Sequence, residues 1–209
     1  MINEENFIHA VQKLRELKGK KTFDQTVDLI INLKNFDVRR EAFNTFIQVP
    51  YKVKEKKIAA FLEKESKIID TIKKEDFPRY KEKKDSKKLI KSYDFFISNI
   101  KLMPAVATSF GRVLGPVGKM PSPQLGVLNS EDEEVIKALL VKINSTIRVR
   151  VKEPSIKIGI AKESLTDDQI AKNAFTVYQK IEELLPRKID NVRNIKIKFT
   201  MGKPIKVDI

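Results

Sequence analysis

The chain has 209 residues, with 42 Lys and Arg against 28 Asp and Glu, one His, no Cys and no Trp, for a formal net charge of +14. With 41% hydrophobic and 33% charged residues it can fill a core, which excludes wholesale disorder; the lack of cysteine excludes a disulfide framework, a zinc–thiolate site and a thiol nucleophile. No apolar run approaches the roughly 20 residues that span a bilayer, and the acidic start is unlike a signal peptide, so a cytoplasmic protein is expected.

Residues 3–17 read as an amphipathic helix, with Asn3 as N-cap, Glu4 and Glu5 at the positive end of the dipole, and Phe7, Val11, Leu14 and Leu17 in one stripe ended by Gly19. Val27, Leu29, Ile31 and Leu33 alternate with Asp28, Ile30 and Asn32, the period of a half-buried strand. The polar residues 35–40 read as a loop, and residues 44–49 as a second strand stopped by Pro50. Residues 57–62 suit a short buried strand, followed by helices around 66–74 and over 87–91 and a strand at 93–97. A helix near 102–110, a Gly/Pro-rich loop over 111–126 and a helix over 131–143, with Ser130 and Glu133 as a capping box, complete the middle segment.

From Thr146 the pattern returns to β. Residues 146–151 and 155–160 both alternate, with Glu153-Pro154 expected as a hairpin turn between them. A long helix follows, capped by Thr166 and Gln169, with Ile170, Ala174, Val177, Ile181 and Leu184 on its buried face. Residues 194–199 form a last strand with Lys196 and Lys198 on one face. The terminal segments are each too small for a core, so 1–55 and 146–209 together make an α+β sandwich, with 56–145 an inserted α/β domain on a parallel, Rossmann-like sheet.

The charge is uneven. Residues 51–92 carry 15 basic and 8 acidic groups and residues 146–209 carry 14 and 8, whereas residues 93–145 balance at 5 and 5. Concentrated Lys and Arg attract polyanions, which makes nucleic acid the leading partner class; a membrane surface is disfavoured because no helix pairs a basic face with exposed aromatics. His9 has no His or Cys partner for a metal site. The stretch Gly115-Pro116-Val117-Gly118-Lys119-Met120 lacks the Gly at 113 and the Ser or Thr at 120 of a phosphate-binding loop, so Arg112 and Lys119 sit on a stiff crossover. The carboxylate pairs Asp167/Asp168 and Glu182/Glu183 lie on helix faces, so neither an enzyme nor a cofactor is indicated. At the end of the basic strand, Thr200, Met201 and Gly202 offer a hydroxyl, a polarizable apolar side chain and open backbone, which suit RNA.

Four segments carry a resemblance: Thr22-Phe23-Asp24-Gln25-Thr26-Val27, Tyr93-Asp94-Phe95-Phe96-Ile97, Leu114-Gly115-Pro116-Val117-Gly118-Lys119-Met120-Pro121 and Thr200-Met201-Gly202-Lys203-Pro204. In this order and spacing the chain resembles the first-numbered family of large-subunit ribosomal proteins, the stalk proteins, in their archaeal form. The resemblance implies two domains, the terminal one binding a helical junction of large-subunit rRNA. It further implies a mobile stalk beside the tRNA exit site, assistance to deacylated-tRNA release, a monomer within the ribosome and no membrane partner. A translational repressor binding its own mRNA through the same surface is the alternative. By matching position, the RNA contacts fall on Phe23, Thr26, Thr200, Met201 and Gly202, flanked by Lys21, Lys157 and Asn194. Val117 stands where the family usually has Arg, and Glu153-Pro154 where relatives carry polar or basic contacts.

Overall fold

A computed structural model describes residues 3–17, 19, 22–80 and 82–208. In chain order its elements are α1 (Glu4–Glu16), β1 (Thr26–Leu33), α2 (Val38–Glu41), β2 (Asn44–Gln48), β3 (Ile58–Phe61), β4 (Asp70–Ile72), α3 (Lys83–Ser92), β5 (Phe95–Asn99), α4 (Met103–Val117), β6 (Val127–Leu128), α5 (Glu133–Asn144), β7 (Thr146–Arg150), β8 (Ser155–Lys162), α6 (Asp167–Leu184), β9 (Val192–Phe199) and β10 (Ile205–Val207), with short 3-10 turns at Lys74–Tyr80, Ile100–Leu102 and Lys188–Asn191. The chain divides into two compact units, Met1–Lys54 with Ser145–Ile209, and Glu55–Asn144. The fold is α+β, with an antiparallel sheet in the first unit and a parallel sheet in the second.

In the terminal unit the sheet runs β10-β9-β1-β8. Val27, Leu29, Ile31 and Leu33 of β1 are buried while Thr26, Asp28, Ile30 and Asn32 between them are half-buried, the alternation expected when helices cover one face only. The covered face packs on Phe7, Val11 and Leu14 of α1 and on Ile170, Ala174, Val177 and Ile181 of α6. The ends of α6 follow from sequence: Thr166 accepts from the Gln169 N–H and Gln169 reaches back to the Thr166 N–H. A separate ribbon pairs β2 with β7.

The expected hairpin between 146–151 and 155–160 does not form. β7 pairs with β2 and β8 with β1, so the link is a crossover between sheets. Val151 still donates to the Phe43 carbonyl, whereas Pro154, which has no N–H, accepts from Leu33 at 2.8 Å. A third feature, β10, follows Pro204 and pairs antiparallel with β9; Ile205 and Val207 alternate, but over too short a run to be read alone.

In the insert, the order is β4-β3-β5-β6 and every pairing is parallel. All four residues of β3 are buried, as in a strand covered on both faces. Phe61 stacks on Phe96 at 5.7 Å between centroids and meets Phe77 edge-on at 5.8 Å, with Phe110 of α4 at 5.1 Å from Phe61. The helix expected over 66–74 is instead a turn and β4: Ile68, Ile69 and Ile72 imitate helical spacing, but parallel pairing of Asp70–Ile72 with β3 prevails. The Gly/Pro-rich stretch is helical as far as Val117, because Val106, Phe110 and Leu114 recur every four residues as a buried stripe; Gly118 ends the helix with φ 75°.

Candidate nucleic-acid interface

The open face of the antiparallel sheet is built by register. Lys157 and Lys196 flank Ile30 across β1, Lys206 lies opposite Lys196, Lys198 lies opposite Asp28, and Lys162 opposite Thr26. Side chains alternate with period two, and a bulge at Ile160–Ala161, where the register shifts opposite Val27 and Asp28, returns Lys162 to the face of Lys157. These lysines therefore share one face while Ile156, Ile158, Ile195 and Ile197 go to the core. Asp28 is the carboxylate among them. Burial pushes its pKa up, and the nearby Lys198 only partly opposes this. Gly159 opposite Asp28 is fitted to the crowding there: a Cβ would stand 3.0 Å from the Thr26 methyl and 3.6 Å from an Asp28 oxygen.

At one end of this face, Phe199–Gly202 closes a β-turn through Gly202 N–H to Phe199 C=O at 2.9 Å. Thr200 is locked onto Thr26: its N–H and its hydroxyl both donate to the Thr26 carbonyl, at 3.0 and 3.1 Å, and the hydroxyl accepts from the Thr26 N–H at 3.3 Å. Met201 is 65% exposed and Phe23 52% exposed, so two large apolar side chains stand beside this polar surface. Gly202 has negative φ and space around its Cβ position (nearest atom 3.4 Å), so nothing in the fold demands glycine; what its lack of a side chain provides is open backbone.

Of the residues singled out in the sequence, Thr26, Thr200, Met201 and Gly202 come together, with Phe23 three residues ahead of Thr26. Lys157 lies further along the same face. Asn194 is at its far end, where Asn32 donates to it at 2.6 Å and Ser155 donates to Asn32 at 2.7 Å. Asn32 is six residues beyond Thr26 on β1, about 20 Å of strand. Lys157 stands 3.8 Å from Glu153, both side chains well exposed. Lys21 lies outside the described residues. Sequence reading singled out neither Lys162 nor Lys206, and it noted the shared face of Lys196 and Lys198 without counting them as contacts; the alternation of 192–199 was the available signal.

A second basic surface lies on the ribbon, where Arg148 is 5.7 Å from the Phe46 ring centroid and donates from Nε to Asn44 at 2.9 Å. Burial, and then the neighbouring Arg150, lower the Arg148 pKa. In the insert, Lys119 is not presented outward: its Nζ donates to the carbonyls of Ile90 and Tyr93, both at 2.7 Å, and so caps the end of α3. Among the described residues no group of three His, Cys, Asp or Glu side chains converges to hold a metal, and no helix is long and apolar enough to cross a membrane.

Comparison of the sequence with known proteins points to a family. Residues 13–203 match the model of the Ribosomal protein L1p/L10e family. The chain is 35% identical to the large ribosomal subunit protein uL1 of Nanoarchaeum equitans, over 96% of this chain and 98% of that one. It is 31% identical to the protein of the same name from Thermococcus kodakarensis, over 99% and 98%, and 30% identical to that of Methanothermobacter thermautotrophicus, over 98% and 99%. The chain belongs to the Ribosomal protein L1p/L10e family.

Proposed function

We propose that this chain is a non-catalytic structural constituent of the large subunit of the cytoplasmic ribosome, acting as a monomer whose terminal unit binds rRNA at the stalk junction. The observation that carries this reading is the open sheet face: lysines from β8, β9 and β10 lie along it, and exposed Met201 and Phe23 stand at one end. Lysines neutralise phosphates without regard to sequence, while the turn and the two apolar side chains supply contacts that depend on RNA shape. Phe23, Thr26, Thr200, Met201 and Gly202 form the reading end, with Lys21, Lys157 and Asn194 as flanking contacts. The stalk so formed lies near the tRNA exit site and assists release of deacylated tRNA. The relatives' shared name, large ribosomal subunit protein, favours this role over that of an mRNA repressor.

A salt titration against a stalk-junction rRNA fragment and a scrambled RNA of equal length tests the reading. Selective nanomolar binding, weakened roughly tenfold or more by Met201→Ala or Phe23→Ala, is the expected result. Equal and steeply salt-dependent binding to both RNAs would overturn it, because net charge alone would then account for the affinity.

A further inference from the structure

Gln25 immediately precedes β1 and is 2% exposed, with hydrogen-bond partners at both ends of its amide. Its Oε1 accepts the Met201 N–H at 3.2 Å, and its Nε2 donates to Glu163 Oε2 at 3.2 Å. The same carboxylate oxygen accepts the Gln25 N–H at 3.4 Å, and the Glu163 N–H donates to the Gln25 carbonyl at 2.8 Å. The segment carrying Glu163 is itself fixed. Arg15 of α1 donates to the carbonyls of Leu165 at 2.6 Å and Glu163 at 3.2 Å and pairs with Asp167, while Asp24 accepts from the Ser164 N–H at 3.0 Å and from its hydroxyl at 3.2 Å.

The bond to Met201 falls on a particular peptide. In the turn Phe199–Gly202 the central peptide joins Thr200 to Met201, and the two commonest turn types differ by a flip of that unit. Gln25 holds its N–H inward. Since the peptide is trans, the Thr200 carbonyl then points away from Gln25. We propose that Gln25 is a positioning residue for RNA recognition: by fixing the central peptide of this turn, it presents the Thr200 carbonyl as a hydrogen-bond acceptor, with the Met201 side chain beside it, to a 2′-hydroxyl-bearing strand. The inference rests on the RNA-binding role proposed above for this surface.

The test uses the full chain and fluorescence anisotropy with three probes: the stalk-junction rRNA fragment, the same fragment with 2′-deoxy sugars, and a scrambled RNA. Circular dichroism verifies that each variant is folded at the assay temperature. Gln25→Met removes the acceptor at nearly constant volume, and should lower affinity for the rRNA fragment roughly tenfold while leaving the deoxy and scrambled probes within about twofold. The double variant Gln25→Glu with Glu163→Gln reverses donor and acceptor between the two side chains and keeps an acceptor for Met201, giving up only the long 3.4 Å bond from the residue-25 N–H, so its binding should stay within about threefold of the unsubstituted protein. A Gln25→Met protein that still prefers ribose to deoxyribose by the original factor, while Met201→Ala does not, overturns the positioning role and leaves the site standing. If Gln25→Met does not fold, the swap decides: a folded double variant that has lost the preference overturns the proposal. If the unsubstituted protein shows no preference among the probes, the reading of the surface fails and the positioning role with it.

Discussion

The two four-stranded sheets of this molecule are used in opposite ways. In the terminal unit the strands are antiparallel and helices cover one face, so alternate residues of β1, β8 and β9, apart from a register shift in each of β8 and β9, are available on the other. In the insert the strands are parallel and β3 is buried throughout. Parallel sheets of this kind usually take ligands outside the carboxyl ends of the strands, where the strand order reverses; here that point lies between β3 and β5. It is filled from within. Glu131 accepts from the N–H groups of Glu63 at 2.9 Å and Lys64 at 3.0 Å, just after β3, and from the Asn99 amide at 2.6 Å, at the end of β5. The insert therefore satisfies its own crevice, while the terminal unit leaves a surface about 20 Å long on which an extended polyanion can lie.

The sharpest way to break this comparison is to damage the insert alone. Phe110→Ala removes a ring packed against Phe61 and Phe77 and should cost about 3–5 kcal/mol of that unit's stability in a denaturant titration. Affinity for the stalk-junction rRNA should stay within about threefold at low temperature, a margin of less than 1 kcal/mol. Binding that falls in step with the insert's unfolding would show that the recognition surface depends on it. Next in size is charge reversal on the open face. Lys196→Glu with Lys198→Glu should weaken rRNA binding about 100-fold at moderate salt and flatten the log–log salt slope by about 2. The matched reversal Lys87→Glu with Lys88→Glu on α3 should change it by less than about threefold. Equal losses would mean that the protein's charge acts as a diffuse cloud and the face is not special.

How much of this was legible in the sequence varies with the kind of signal. The α1 and α6 helices, β1 and β9 were readable because their apolar periods are regular and their caps are local. Both helical stripes nevertheless stop one residue short of the reading: Leu17 and Leu184, expected on the buried faces, are exposed, and Leu185 is buried instead. The partner of β7 was not, because pairing between Asn44 and Arg150 spans about a hundred residues and nothing local distinguishes it from a hairpin. In α4, Gly111, Gly115 and Pro116 outvoted a buried stripe that tertiary packing then enforced. The candidate site shows the same division. Met201 and Thr200 could be noticed as residues, but that Gln25 holds the Met201 amide from 176 positions away is visible only in the folded chain.

Glu131 provides a smaller, pH-dependent test of the closed crevice. Burial alone would raise its pKa, but the donors from Glu63, Asn99 and Lys64, with the Lys64 charge, outweigh burial and hold it below its ordinary value of 4.5. The unfolded chain therefore takes up the proton first as pH falls. The carboxylate's contribution is complete above its ordinary value and is lost as pH falls toward the lowered one. Glu131→Gln should remove this acid-dependent slope from the insert's melting temperature and lower the melting temperature modestly near neutrality. An unchanged slope would show that other carboxylates dominate acid unfolding and that the crevice is not held by Glu131.

The smallest expected effect has the opposite sign and belongs to the open face. Asp28 has a raised pKa, first because it is partly buried, against a weaker pull from Lys198. The folded chain therefore binds this proton more readily than the unfolded one, and stability falls as pH rises through the carboxylate range. Near neutrality that loss is complete, and the charge also opposes phosphate at the centre of a lysine-bearing surface. Asp28→Asn keeps the shape that Gly159 accommodates while removing both effects. It should raise the melting temperature by about 1–3 °C near neutrality, with no gain at about pH 3, where Asp28 is protonated in either state. Affinity for the rRNA fragment should rise about two- to threefold, with a slightly steeper salt dependence. A fall in affinity would mean that Asp28 matters for orienting Lys198, and the open face would then be a set of aimed contacts in which Asp28 is part of the aim.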